Sequence, residues 1–400
     1  MRTLPLFLLS LATALLVSLH AFSADIRIVK EGHGKNAISL SGIRSGGVGG
    51  ETFAATLKSD LERSGWFVVT GPDSASVHVS GSAATSVALD VAWGSGRFSW
   101  SAPSNDQEAA RRAAHRACDE ILRRVLGKQG IASTRIAFVG KRGGSQDLYL
   151  CDADGASVRQ ITHLGAICLS PKWTPDGSSL FYTGYQTGAP FIYRAPVNGG
   201  GIQRLANFNG LNAGGTASPD GRLMALILSK DGNPELYILN LSSGNLTRLT
   251  RTPYAVESSP SWSPDGRSIA YVCDAPGSPQ IYVVNEAKQT RRISFRGSEN
   301  VAPDWGPDGR IAYCTKQGGY QIAIHDPRDG STRVITDGAP HEDPSWAPDA
   351  RHLVCSRGEN GRRQLVILDD PAPALDISGD PPLPLFSISG DWTAPDWSER

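Results

Sequence analysis

One tetrapeptide, returning at a nearly constant interval, restricts this chain more than any other feature. Thr174-Pro175-Asp176-Gly177, Ser218-Pro219-Asp220-Gly221, Ser263-Pro264-Asp265-Gly266 and Gly306-Pro307-Asp308-Gly309 are four copies, and Ala347-Pro348-Asp349-Ala350 is a fifth that lacks the glycine. Successive prolines lie 44, 45, 43 and 41 residues apart. Trp173, Trp262, Trp305 and Trp346 stand two positions before the proline, and Ala217 holds that place in the remaining copy. Proline presets φ at the second position of a type I turn, aspartate suits the third and glycine the fourth. Each copy therefore joins two strands. Two more strands follow it, a third with an apolar triplet such as Leu236-Tyr237-Ile238 and a fourth such as Arg248-Leu249-Thr250. Four strands in about 40–45 residues make one propeller blade.

The second strands begin near Arg135, Ser178, Arg222, Ser268, Arg310 and Arg351, which makes six blades. The first unit opens without a Trp-bearing strand. The end of the chain, Thr393-Ala394-Pro395-Asp396-Trp397-Ser398, copies Val301-Ala302-Pro303-Asp304-Trp305 and supplies it. The expected fold is a propeller closed by its C-terminal strand, which removes exposed sheet edges.

The region before the repeat has another rhythm. Residues 24–126 read as a small α/β domain, 127–133 as a linker and 134–400 as the propeller, so the fold class is α+β joined to all-β. Strands are expected at Ile26–Val29, Ile38–Leu40, Trp66–Val69, Val77–Val79 and Val87–Val91. A helix is expected over Thr52–Arg63, with Phe53, Leu57 and Leu61 on one stripe, entered from a Gly46–Gly50 loop. A second, with Ala110, Ala113, Ala117, Ile121 and Val125 inward, follows a capping box at Ser104-x-x-Gln107. Residues 1–23 carry Arg2, an apolar run from Leu4 to Leu19 and the small residues Ala21 and Ser23 before Ala24, the pattern of a cleaved signal peptide. No cysteine lies near the cleavage point, so no lipid anchor is expected, and no second apolar run is long enough to insert in a membrane.

Charge and motifs exclude several functions. Lys+Arg number 39 and Asp+Glu 39, which argues against a nucleic-acid partner. Cys118, Cys151, Cys168, Cys273, Cys314 and Cys355 form no C-x-x-C pair, and buried free thiols are the expectation, with one bridge possible. There is no Gly-x-Ser-x-Gly elbow, no Gly-rich loop ending in Lys-Ser/Thr and no His-x-x-x-His, and the repeated aspartates belong to turns rather than to a calcium site. No cofactor or metal is expected, and a monomer is.

The order of segments, the join Gly127-Lys128-Gln129-Gly130-Ile131-Ala132-Ser133-Thr134-Arg135-Ile136-Ala137-Phe138-Val139 and the terminal Ala-Pro-Asp-Trp-Ser strand together resemble the TolB family of periplasmic Tol–Pal propellers. The resemblance implies a periplasmic adaptor without catalytic activity that supports outer-membrane integrity and cell division. It implies that the lipoprotein Pal docks on the propeller face at the channel mouth. The matching loops hold Leu169, Ser170, Leu211, Asn212, Glu257, Ser258, Asn300, Val301, Glu342, Asp343, Asp391 and Trp392. With Glu299, the acidic members are expected to line the mouth, and Trp392 to serve as an apolar anchor. The resemblance also implies that TolA is engaged by the N-terminal strand Ala24, Asp25, Ile26, Arg27, Ile28 and Val29, through added strand pairing. The stretch Ile38-Ser39-Leu40-Ser41-Gly42-Ile43 departs from the family's apolar, proline-containing second strand.

Two other readings stay open: an unrelated exported binding propeller, and an exported propeller enzyme, lyase-like or oxidoreductase-like. A catalytic site needs converging ligands in the channel, and the mouth loops offer one histidine, His341, beside Glu342 and Asp343. Stoichiometric metal in the purified protein would favour the enzyme.

Overall fold

A computed structural model describes residues 35–142, 144–370, 383–384 and 391–399. The signal peptide and the Ala24–Val29 strand lie outside the described residues.

The N-terminal unit is one five-stranded sheet with two helices. β1 (Asn36–Ser45), β2 (Phe67–Val69), β3 (Val77–Ala83), β4 (Ser86–Trp93) and β5 (Gly96–Pro103) pair in the order β2-β1-β3-β4-β5, with β1 parallel to both neighbours and β3 to β5 antiparallel. Val77 and Val79, then Val87, Leu89 and Val91, alternate inward, the period of a half-buried sheet. α1 (Gly47–Arg63) and α2 (Gln107–Ile121) cover that face with Phe53, Leu57, Leu61, Ala110, Ala114 and Ile121.

Two local expectations fail and one strand goes unforeseen, each for a physical reason. The Gly-rich run is the first turn of α1, not a loop. A Cβ on Gly50 would stand 2.0 Å from the Ala83 carbonyl oxygen, so glycine here permits close packing of helix on strand. The cap of α2 is Asp106, which accepts from the Ala109 N–H at 2.7 Å, while the Ser104 hydroxyl donates to the Ala84 carbonyl. β5 was not expected at all, because its inward positions, such as Phe98 and Trp100, are only half-buried.

The remaining strands form six four-stranded sheets in a ring. Blade 1 combines the C-terminal strand Asp391–Trp397 with Arg135–Arg142, Ser145–Asp152 and Arg159–Gln160, as the sequence implied. Blades 2 to 6 have inner strands Cys168–Trp173, Asn212–Ala217, Glu257–Trp262, Asn300–Trp305 and His341–Trp346. Second strands such as Leu223–Leu228 are buried along almost their whole length, because a neighbouring blade covers each face. The repeated turn behaves as its chemistry requires. Ser218 and Ser263 donate to Asp220 and Asp265 at 2.6 Å, and each glycine N–H closes back on the serine carbonyl. Gly177, Gly221, Gly266 and Gly309 take φ between +66° and +91°, and Ala350 keeps the left-handed conformation at +56° without glycine. The fourth-strand hydroxyls also recur. Thr162, Thr250, Ser294 and Thr336 each accept from a third-strand N–H, those of Leu148, Leu236, Ile281 and Ile322, at 2.8 to 2.9 Å.

The N-terminal unit sits against blades 1 and 6. Asp154 from blade 1 pairs with Arg111 and accepts, through its carbonyl, from Arg63. Arg351 from blade 6, held by both oxygens of Asp369, lies 4.6 Å from the Trp66 ring. Asp119 of α2 accepts from the Ala132 and Ser133 N–H groups and fixes the connection between the two parts. All six cysteines are buried with free thiols.

Candidate functional site: the channel and its mouth

Every inner strand carries the same irregularity at the same place. Ser170, Gly214, Ser259, Ala302, Asp343 and Ala394 have φ between +47° and +67°, and the ladder slips a register at each. These are bulges, and five use a residue other than glycine. Pro171, Pro260, Pro303, Pro344 and Pro395 follow them directly, with Gly215 in blade 3. Proline tolerates the missing ladder bond where the strand faces an open channel.

Two residues beyond each bulge, a second ring crosses the channel: Lys172, Thr216, Ser261, Asp304, Ser345 and Asp396. Four of them tie one blade to the next. Asp396 accepts from the Trp173 N–H and Asp304 from the Trp346 N–H, both at 2.8 Å; the Ser261 and Ser345 hydroxyls accept from the Trp305 and Trp397 N–H groups. The Lys172 ammonium reaches Asp396 at 2.7 Å in neighbouring blade 1 and Asp304 at 3.4 Å in blade 5, opposite it in the ring. Burial works against this charge, but Asp396 and Asp304 hold its pKa above the usual lysine range. The two channel carboxylates thus share one ammonium supplied by the chain itself.

On one side of Lys172 lies a cavity of about 450 Å³ walled by the tryptophans and turn prolines. On the other is the mouth, a cavity of about 300 Å³. Its wall is mostly apolar: Leu169, Leu211, Val256 and the bulge prolines contribute, with Ser170 and Ser258 between them. Exposed apolar side chains continue onto the rim in the loops that lead into the inner strands. Tyr254 is fully exposed at φ +65°, and Val256 and Ile167 are also exposed.

Of the expected acidic lining, Glu257 and Asp343 border the cavity. Glu257 is 1% exposed and accepts from the Leu236 N–H and the Thr250 and Thr252 hydroxyls; burial, with Glu235 beside it, pushes its pKa up to about 7. Asn212 and Asn300, at the same strand position, are fully buried and close their own loops onto the carbonyls of Phe208 and Arg296. Glu342 pairs with Arg363, and Glu299 with Lys316 and Tyr320. Asp391 accepts from the Arg363 N–H. Asp343 does reach the mouth, where burial and Glu342 raise its pKa. Trp392 is 1% exposed and packs edge-on to Phe138 and Tyr149 at 5.2 and 5.4 Å, so it is core of blade 1 and not an anchor. Val301 packs half-buried between blades 4, 5 and 6. Leu169, Ser170, Leu211, Glu257, Ser258 and Asp343 therefore line the mouth, Glu257 with its side chain almost fully buried, while Asn212, Asn300 and Trp392 are sealed from it. The sequence reading missed Lys172, Asp304 and Asp396; their signal was the single position before each tryptophan, where lysine and two aspartates interrupt small hydroxyl residues.

Among the described residues, no histidine or cysteine lines the mouth, and His341 is 2% exposed. Asp60, His115 and Asp154 cluster where the two parts of the chain meet. The His115 Nδ1 lies 2.7 Å from Asp60, and Asp154 is paired with Arg111, so the cluster acts as a joint. The mouth itself is a mostly apolar concavity with a few polar groups set into its wall.

Residues 122–400 match the family model of the TolB beta propeller domain. The chain belongs to this TolB β-propeller family. The crystal structure of TolB from Acinetobacter baumannii superposes with a TM-score of 0.78 at 25% identity, covering 91% of this chain and 96% of that one. A structure described as putative TolB from Agrobacterium tumefaciens shares the fold, with a TM-score of 0.52 at 20% identity over 64% of this chain and 91% of that one. The Tol–Pal system protein TolB of Polaromonas naphthalenivorans is 32% identical over 206 residues, 44% of this chain and 47% of that protein. That of Bordetella pertussis is 39% identical over 82 residues, 20% of this chain and 19% of that protein. The aligned stretches thus span half the length of these curated relatives or less. No described helix is long and apolar enough to cross a membrane.

Proposed function

We propose that this TolB-family protein is a periplasmic, non-enzymatic adaptor of the Tol–Pal system that docks Pal at the channel mouth and TolA through Ala24–Val29. The observation that carries the reading is the mouth itself: a mostly apolar cavity with an exposed rim of Tyr254, Val256 and Ile167. The channel carboxylates are occupied by Lys172, which also speaks against a ligand-binding enzyme. Of the docking residues taken from the family resemblance, Leu169, Ser170, Leu211, Ser258, Val301, Glu342, Asp343 and Asp391 have the exposure to touch a partner. Export through the signal peptide of residues 1–23 would deliver the chain to the compartment where Pal and TolA meet.

The test separates the two contacts. Removing Ala24–Glu31 from the mature protein abolishes binding to TolA and leaves binding to Pal unchanged, measured by calorimetry with each purified partner. Loss of both, or of neither, rejects the assignment.

A further inference from the structure

A groove on the outer wall, between blades 4 and 5, takes no part in the channel. It encloses about 480 Å³. Arg291 and Arg292 enter it from the fourth strand of blade 4 (Thr290–Arg292), and Phe295 and Arg296 from the loop that follows. Tyr313 and His325 of blade 5 form a buried floor, and Ser331 and Thr332 close the far end. The His325 Nδ1 stands 2.9 Å from the Thr332 hydroxyl. Arg292 donates to the Ser294 carbonyl and lies 5.3 Å from the Phe295 ring, so its guanidinium is already oriented.

Three arginines in one groove would repel each other, yet among the described residues none of them has a carboxylate within ion-pair distance. The nearby acids are engaged elsewhere: Asp326 pairs with Arg328, and Asp329 accepts from the Ser331 N–H. In a chain of zero formal net charge, this is a local cationic site without its counter-charge. Guanidinium groups take carboxylates through two parallel hydrogen bonds. The groove is concave, so a flat lipid surface cannot reach its floor, and it is several times larger than one inorganic anion. Phe295 adds an apolar contact at its end.

We propose that this groove binds an acidic peptide segment, with its carboxylates on Arg291 and Arg296 and an apolar side chain on Phe295. The site is separate from the mouth, so it stands whether or not Pal docks there.

The probe is an acetylated, amidated hexapeptide of alternating glutamate and phenylalanine, titrated calorimetrically into the full mature chain. A second peptide with glutamine in place of glutamate is the control. The Arg291→Glu/Arg296→Glu double variant is expected to weaken binding by about tenfold or more. Raising salt from about 50 to about 500 mM is expected to weaken the parent but not the variant. Both arginines are exposed and carry no ion pair, so the variant's melting transition stays that of the parent. Phe295→Ala, also at an exposed position, weakens binding while leaving the salt dependence intact. The proposal is overturned if the parent ignores the glutamate peptide, if the glutamine peptide binds as well, or if the double variant binds as tightly. Capture of the parent by anionic phospholipid vesicles, without peptide binding, also overturns it.

Discussion

Glu257 and Glu235 meet where blade 3 joins blade 4, and both side chains are almost fully buried. One oxygen of Glu235 has no hydrogen-bond partner, and the Glu257 carboxyl lies beside it. Burial and this neighbour raise Glu257 from 4.5 to about 7. A carboxyl whose pKa is raised by folding contributes its full stability below the unfolded value and loses it as pH rises through the folded value. The neutral amide of Glu257→Gln can donate toward Glu235 and does not ionise. The variant and the parent are therefore expected to unfold at similar denaturant concentrations near pH 4.5, with the variant more stable by about 2–3 kcal/mol at pH 8. An equal gap at both pH values contradicts the paired-carboxyl account. Such a residue shows why single positions were hard to read from sequence. Glu257 and Asn300 sit at loop-to-strand junctions where polar side chains usually face solvent, and here both point inward to satisfy backbone groups. Trp392 likewise reads as a loop tip in sequence, and only closure of the ring reveals the Phe138 and Tyr149 faces it covers.

At the scale of elements, the inner strands do the joining. Lys172 connects the inner strands of blades 1, 2 and 5 through two carboxylates. Lys172→Met removes the ammonium and leaves Asp304 and Asp396 without their shared cation. The expected loss is about 3–5 kcal/mol in chemical denaturation, partly restored when Asp304→Asn and Asp396→Asn are added. A variant as stable as the parent would mean that the carboxylates are solvated and the bridge contributes nothing. The blade elements were legible because each rests on local chemistry: Pro-Asp-Gly fixes the turn, and apolar runs mark strands buried on both faces. Elements set by tertiary contact were less so. α1 begins at Gly47, inside a glycine run that local propensity disfavours, because close approach to Ala83 outweighs it. The channel bulges have no composition signal beyond the proline that follows them.

For the whole molecule, the ring depends on its last strand. Asp391–Trp397 pairs with Arg135–Arg142, Asp396 caps blade 2 and Trp397 is held by Ser345 of blade 6. Deleting Thr393–Arg400 therefore opens blades 1, 2 and 6 together. A single, strongly lowered melting transition is expected; an unchanged one would contradict closure. The central claim is that the apolar mouth receives Pal, and calorimetric titration of purified Pal into mouth variants tests it most directly. Tyr254 and Val256 are exposed, so Tyr254→Ala/Val256→Asp leaves the fold intact. The account predicts that this pair weakens Pal binding by about 2 kcal/mol or more, while Val48→Ala on α1 has no effect. An unchanged dissociation constant for Pal in the mouth variant would contradict it.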